Sequence, residues 1–140
     1  ERLSLDDEDS RERYRSRIED RLERWLGSVS KEQKKIILAW SQKWVNTNDS
    51  WRQYQNNTYQ DLSTLMEKKS DLRIAQPIIM NLLLNNEAYY PEGLESELNK
   101  NMETSAIFLV DIVESSSNKQ WAYFMSELAS LKGTFESLQE

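Results

Sequence analysis

The absence of two residue types limits the chemistry that this chain could perform. It contains no Cys and no His, which excludes zinc sites of thiolate or imidazole, cysteine nucleophiles, Ser-His-Asp triads and haem held by either residue. Carboxylates remain, either around a hard cation or as a pair of acids for glycan hydrolysis. Glu95 with Glu97 and Asp111 with Glu114 are candidate pairs, although their spacing is equally typical of surface charge. We therefore predict no enzyme, no metal site and no cofactor.

Arginine is concentrated near the start of the chain, with seven of the nine arginines in residues 2–24. Four of them share one helix face at spacings of three and four residues: Arg13, Arg17, Arg21 and Arg24. Such a face suits an acidic partner. However, Asp9 and Asp20 each precede an arginine by four residues, and residues 1–35 carry ten basic and ten acidic side chains. A solvated, ion-paired face is therefore the favoured interpretation, and the net charge of −6 argues against nucleic-acid binding.

Tryptophan and tyrosine are numerous, with five Trp and six Tyr. Most fall on predicted apolar helix faces, so core packing is the favoured interpretation, although these residues also suit interfaces and ligand grooves. Tyrosines beside polar loops are expected to be exposed: Tyr54, Tyr59, Tyr89, Tyr90 and Tyr123. One functional alternative is an interaction patch of Arg17, Arg21, Arg24, Trp51, Tyr54, Tyr89 and Tyr90. Another is a small-molecule or glycan pocket lined by Trp40, Trp44 and Trp121.

Amphipathic helices must position these side chains, because apolar residues recur at helical spacing along the chain. The first helix is predicted over about residues 8–26, and Gly27 suits a left-handed C-terminal cap. Two Ser-x-x-Gln capping boxes, which begin at Ser30 and Ser117, are predicted to open the second and the last helix. The boxes lie about 87 residues apart, which we attribute to chance rather than to an internal repeat.

The middle helices are predicted from caps and apolar faces. Asp49 or Ser50 is expected to cap the third helix, and the fourth is predicted to begin near Ser70 or Asp71. Pro77 predicts either a kink in the fourth helix or a separate turn over residues 71–76. This helix is the most apolar, so we expect residues 78–83 to be the most buried segment. Pro91 suits the first turn of the fifth helix, whose predicted core stripe is Leu94, Leu98, Met102, Ala106, Leu109 and Val113.

The predicted fold class is all-α, a single-domain bundle of about six amphipathic helices over residues 10–140, after an acidic leader at residues 1–9. Five Gly and Pro residues in total are too few for a hairpin-rich β fold, and the aromatic content is too high for a disordered chain. No apolar run is long enough to span a membrane. The chain begins at Glu1 rather than Met, so we expect an upstream segment in the parent protein.

Residues 17–40, RIEDRLERWLGSVSKEQKKIILAW, resemble a motif of the form R-x-x-R-L-E-R-W-L-G-x-L-[ST]-x-x-Q with a Trp on the next helix, and the most specific part of the match is Arg21 to Gly27. This pattern resembles an uncharacterised family of predicted lipoproteins from Gram-negative bacteria. Residues 81–128 are similar to the second half of that family, so the resemblance covers most of residues 10–138 and the chain resembles the C-terminal portion. The resemblance implies an upstream signal peptide and lipid-bearing Cys, and it implies no catalytic residue.

Together these observations favour a non-catalytic protein-interaction or scaffolding module in the cell envelope. By resemblance, the full-length protein is periplasmic or at the outer membrane, lipid-anchored outside this chain, and its partner is another envelope protein. The alternatives are a small-molecule or glycan binder, which needs a concave pocket of about 300–1,000 Å³, and a carboxylate-based glycan hydrolase, which needs two facing acids about 5–10 Å apart. An interaction module instead needs an exposed apolar patch of about several hundred Å².

Overall fold

The computed structural model describes the backbone of residues 2–138 and the side chains of residues 8–138. It contains six α-helices: α1 (Arg2–Leu26), α2 (Lys31–Lys43), α3 (Asn48–Lys68), α4 (Leu72–Leu84), α5 (Leu94–Ser115) and α6 (Asn118–Ser137). A short 3-10 helix, Asn86–Tyr89, lies between α4 and α5. The chain is 85% helical, and no strand occurs within residues 2–138. The predicted all-α fold of six helices is confirmed, and it is consistent with a single-domain bundle.

Contacts within the chain define two compact units, a division that the helical periodicity did not predict. The first unit comprises Glu1–Trp44 and Asn101–Glu140, and the second comprises Val45–Lys100. The first therefore holds α1, α2, α6 and most of α5, whereas the second holds α3, α4, the 3-10 helix and the start of α5.

The apolar core of the first unit lies among α1, α2 and α5. Its buried members are Leu26, Ile37, Trp40, Phe108 and Ile112. Apolar residues of α1 at helical spacing, Tyr14, Ile18 and Leu22, pack against this core as the sequence predicts. α1 begins at Arg2, earlier than the predicted start near residue 8, because the acidic segment contains no helix breaker and simply continues the helix.

Both predicted capping boxes are confirmed, and they meet in the first unit. Ser30 caps α2 and Ser117 caps α6, each with the reciprocal hydrogen bond from its own glutamine. Gln120 Nε2 donates to Gln33 Oε1 at 2.8 Å, and Gln33 Nε2 donates to Gln120 Oε1 at 3.3 Å. Because both amides are buried, the pair satisfies polar groups that would otherwise be costly in the interior.

Other predicted helix ends are partly wrong. α4 begins where predicted, and Asp71 caps it by accepting a hydrogen bond from the Arg73 N–H at 3.1 Å. In contrast, Thr47 rather than Asp49 or Ser50 precedes α3, and it makes no side-chain capping bond. The Ser50 hydroxyl instead donates to Glu97 Oε2 at 2.8 Å, a partner from α5 that local sequence could not reveal.

Pro77 lies inside a helix, which excludes one of its two predicted alternatives, whereas Pro91 differs from the prediction. α4 runs from Leu72 to Leu84 with Pro77 inside it, so residues 71–76 are not a separate turn. Pro91 lies before α5 rather than in its first turn, and its carbonyl accepts the N–H of Leu94 at 3.2 Å. Gly93, which the sequence analysis did not single out, has a φ of 92° and allows the chain to turn into α5.

Residues 78–83, predicted to be the most buried segment, are not. Ala75 is the one buried residue of α4, while Ile78 and Leu82 are half-buried and Ile79 and Leu83 are exposed. The physical reason is that the neighbours of α4 in the second unit, α3 and the 3-10 helix, cover one side of it. The apolar residues of α4 extend around a wider arc than that side.

The predicted core stripe of α5 is also largely wrong. Met102, Ala106, Leu109 and Val113 are exposed, and only Leu94 of that stripe is fully buried. In the first unit α5 instead buries Asn101, Phe108 and Ile112. This helix carries apolar residues on two faces, so periodicity alone cannot identify the inner one.

Candidate functional site

The arginine-bearing face of α1 is exposed in the first unit. Arg13 donates to Ser10 Oγ at 3.1 Å rather than pairing with Asp9. Within residues 8–138, Arg17, Arg21 and Arg24 form no ion pair, so the predicted pair between Asp20 and Arg24 is not present. Three predicted site residues therefore form a row of guanidinium groups without an ion-pair partner among residues 8–138.

One arginine that the sequence analysis did not single out has a structural role. The Arg11 guanidinium donates to the carbonyl oxygens of Ser41 at 2.6 Å and Gln42 at 2.9 Å, near the C-terminal end of α2. These are carbonyls that the helix leaves partly unsatisfied, and a cation there also complements the helix dipole. Arg11 thus fixes α1 against α2, which local sequence could not show because the contact spans 30 residues.

The other four predicted site residues come together in the second unit as an aromatic cluster of Trp51, Tyr54, Tyr89 and Tyr90. The ring of Tyr54 is 5.3 Å from that of Trp51 and 5.7 Å from that of Tyr90, measured between centroids, with near-perpendicular planes. Tyr89 lies 6.5 Å from Tyr54 in the same manner. Edge-to-face geometry of this kind is favourable between aromatic rings.

Tyr89 is buried, contrary to the prediction that it would be exposed. Only 6% of its surface is accessible, and its hydroxyl donates to Asp61 Oδ2 at 2.8 Å. Burial, together with the hydrogen bond and charge of Asp61, raises the pKa of Tyr89 to about 12. The Asn57 amide also donates to the Tyr89 carbonyl at 3.0 Å. Tyr89 is therefore an anchor of the 3-10 helix against α3, whereas Trp51 is exposed and Tyr54 and Tyr90 are half-buried.

The tryptophans of the alternative pocket do not face one cavity. Trp40 is buried, lies 5.0 Å from Trp44 and 5.5 Å from Phe108 between ring centroids, and its indole N–H donates to Ser105 Oγ at 3.4 Å. Trp121 instead contacts Phe124 at 5.6 Å. Trp40 and Phe108 line a groove of about 60 Å³ between α2 and α5, which is much smaller than the roughly 300 Å³ of small-molecule sites.

Two larger concave regions lie in the first unit, and both are open to solvent. One, of about 620 Å³, lies where α2 and α6 begin and is bordered by Lys31, Lys119 and Tyr123. The other, of about 450 Å³, contains the carboxylates of Glu32, Asp111 and Glu114. In the described residues no group of three or more carboxylates has an arrangement that could hold a metal ion.

An exposed apolar surface on α4 is a feature that the sequence analysis did not predict. We call it the α4 face, and it consists of Leu72, Ile79, Met80, Leu83 and Leu84, which are 41% to 74% exposed. Ala75, Ile78 and Leu82 form the neighbouring inner stripe. Arg73 is the single charged residue of α4. The sequence indicates this face, because the apolar residues of α4 span an arc wider than one packed neighbour can cover.

The sequence profile of a family of unknown function, DUF6279, matches residues 2–94. The match spans more than half of the chain, and the chain therefore belongs to this family. It includes the arginine-bearing face, the α4 face and the aromatic cluster, and it ends at Leu94, within the second stretch of the resemblance described above. No curated protein and no solved structure matches the chain. Among residues 2–138, no helix combines the length and apolar character that a membrane span requires.

Proposed function

We propose that this chain is a non-catalytic protein-interaction module of a Gram-negative cell-envelope lipoprotein, and that a partner protein docks on the α4 face. The observation that carries the proposal is the exposure of this face on the most apolar helix of the second unit. Contiguous exposed apolar surface is typical of interaction sites rather than of isolated surface residues.

The chemistry of the α4 face defines the kind of partner. Leu72, Ile79 and Leu83 are spaced seven and four residues apart, so they form one ridge along the helix. Met80 and Leu84 widen it on one side, and a flexible methionine adapts to irregular surfaces. With Arg73 as the only charge of the helix, the fitting occupant is the apolar side of an amphipathic helix from another envelope protein.

The proposed location in the cell envelope rests on the resemblance of residues 17–40 to predicted lipoproteins. An apolar leader that ends at a small-residue and Cys site upstream of Glu1 in the parent protein would support it. A parent that begins directly as a cytosolic chain, and that fractionates with cytosolic proteins, would contradict it.

Site-specific photo-crosslinking in cells that express the parent protein tests the docking. We expect a photoreactive residue in place of Leu83 to yield a discrete adduct with one envelope protein, and Ile79→Gln to abolish it. The matched control is the same residue in place of Lys35, which is exposed on α2 in the first unit. Equal adducts at both positions, or none at Leu83, would contradict the proposal.

The proposal also predicts no hydrolysis of envelope glycans, even though Asp111 and Glu114 share a cleft. Purified chain is incubated with isolated cell-wall glycan, and soluble fragments are measured. Release that disappears in the Asp111→Asn, Glu114→Gln variant would establish the carboxylate-enzyme alternative instead.

A further inference from the structure

α6 carries a heptad pattern that extends beyond its packed part. Five apolar residues of α6, Trp121, Phe124, Leu128, Leu131 and Phe135, alternate at spacings of three and four, and Leu138 directly after the helix continues the pattern. Alternation of this kind is the a and d pattern of a coiled coil. With Trp121 at an a position, Leu128 and Phe135 are also a residues, and the other three are d residues.

The first residues of this pattern pack inside the first unit. Phe124 packs against the core and lies 6.0 Å from Trp25 and 5.6 Å from Trp121 between ring centroids. The rest is exposed and forms what we call the α6 seam: Leu128, Leu131, Phe135 and Leu138, which are 38% to 76% accessible. The core-facing stripe thus continues as a seam of exposed apolar residues.

Charges beside the α6 seam match a second copy of the same helix. Glu127 occupies a g position and Lys132 the e position five residues later. In a parallel pair of identical helices, each g residue faces the e residue of the following heptad on the partner. Two symmetric Glu–Lys pairs would form. Antiparallel pairing would instead place e residues opposite e residues and g residues opposite g residues. Lys132 would then face no acidic residue.

The present ion pair of Lys132 does not oppose this pairing. Lys132 Nζ lies 3.7 Å from Glu136 Oε1 in an exposed i,i+4 ion pair. Exposed pairs of this type contribute little to stability, so an exchange of partners costs little. Gly133 occupies an f position, which points away from a coiled-coil seam and therefore does not interrupt it.

We infer that a second copy of this chain covers the α6 seam in a parallel coiled-coil dimer. The first unit already holds the start of α6 in helical form, so dimerisation does not have to nucleate the helix. The seam is shorter than the three to four heptads that define an independent coiled coil. The dimer is accordingly weak, with a dissociation constant of about 10–1,000 μM. This inference is independent of the α4 face, which lies in the second unit.

Sedimentation equilibrium of the purified chain over a range of concentrations tests the dimer. We expect a reversible monomer–dimer equilibrium that Phe135→Glu weakens by about tenfold or more. Ser130→Glu adds the same charge at a c position outside the seam and should leave the equilibrium unchanged. A monomer at all concentrations up to about the millimolar range, or equal weakening by both variants, would overturn the inference.

Charge exchange tests the parallel register without disturbing the apolar seam. Glu127→Lys and Lys132→Glu each create two like-charge contacts in a parallel homodimer and should weaken it about three- to tenfold. An equimolar mixture of the two variants should recover dimerisation, because both contacts in the heterodimer are again of opposite charge. Unchanged far-UV circular dichroism verifies folding. If the mixture dimerises no better than the separate variants, the parallel pairing is wrong.

Discussion

At the scale of single residues, Tyr89 shows how a side chain can stabilise the fold through a partner distant in sequence. Its hydroxyl donates to Asp61, 28 residues earlier. We expect Tyr89→Phe to lower the free energy of unfolding by about 1–2 kcal/mol, since a hydrogen bond to a charged acceptor is lost. Urea denaturation at neutral pH measures it, and Tyr59→Phe at an exposed position is the control. An equal effect of both substitutions would contradict the role of Asp61.

The raised pKa of Tyr89 adds a pH dependence whose sign is defined. The folded state holds the phenol proton up to a pKa of about 12, against an ordinary value of 10.0. Its stabilising contribution is therefore complete below about pH 10 and is lost as the pH rises to about 12. Unfolding free energies measured across this interval should fall more steeply for the wild type than for Tyr89→Phe. Parallel curves would contradict the assignment.

Gly27 is a residue whose conformation and surroundings both require glycine. Its φ is 78°, and a Cβ there would lie 3.1 Å from the ring of Tyr123. Gly93 also has positive φ, 92°, but has nothing within 4 Å of such a Cβ. We expect Gly93→Ala to cost about 1–2 kcal/mol from backbone strain and Gly27→Ala to cost more. Thermal unfolding compares them, and an equal loss would show that Tyr123 moves aside freely.

At the scale of helices, the junction of α2 and α6 depends on the two capping glutamines. Gln33→Leu removes the acceptor for the Ser30 N–H and leaves the Gln120 amide without one of its partners. We expect a loss of about 1–3 kcal/mol, whereas Gln42→Leu at an exposed position should be nearly neutral. The double variant Gln33→Leu, Gln120→Leu should cost less than the sum of the single variants by at least about 0.5 kcal/mol. Strict additivity in denaturation experiments would contradict the direct contact.

Helix ends were predictable where their determinants are local. The Ser30 and Ser117 boxes and the Gly27 cap depend on residues within one turn, so sequence spacing identifies them. The cap of α3 was not predictable, because Ser50 bonds Glu97 rather than its own helix. Neither was the role of Arg11, whose acceptors lie 30 and 31 residues away.

At the scale of the whole molecule, the burial of α4 could not be predicted from its hydropathy. α4 is the most apolar helix, yet Leu72 and Leu83 are largely exposed, because exposure depends on how many neighbours surround a helix. Of the tyrosines predicted to be exposed, Tyr59 and Tyr123 are exposed, and Tyr54 and Tyr90 are half-buried. The burial of Tyr89 could not be predicted, since it depends on contacts with Asp61 and Asn57 in the second unit. The α4 face was missed because an apolar segment was equated with a core.

Cysteine labelling tests the central claim that the α4 face is covered by a partner. The chain has no native Cys, so Leu83→Cys and Lys35→Cys each provide one defined thiol. In the purified chain, we expect both thiols to react with a maleimide at similar rates. In cells that express the parent protein, the reaction at position 83 should slow by roughly tenfold relative to position 35, since a docked apolar helix excludes reagent and water from the face. An unchanged ratio of the two rates between purified chain and cells would contradict the claim.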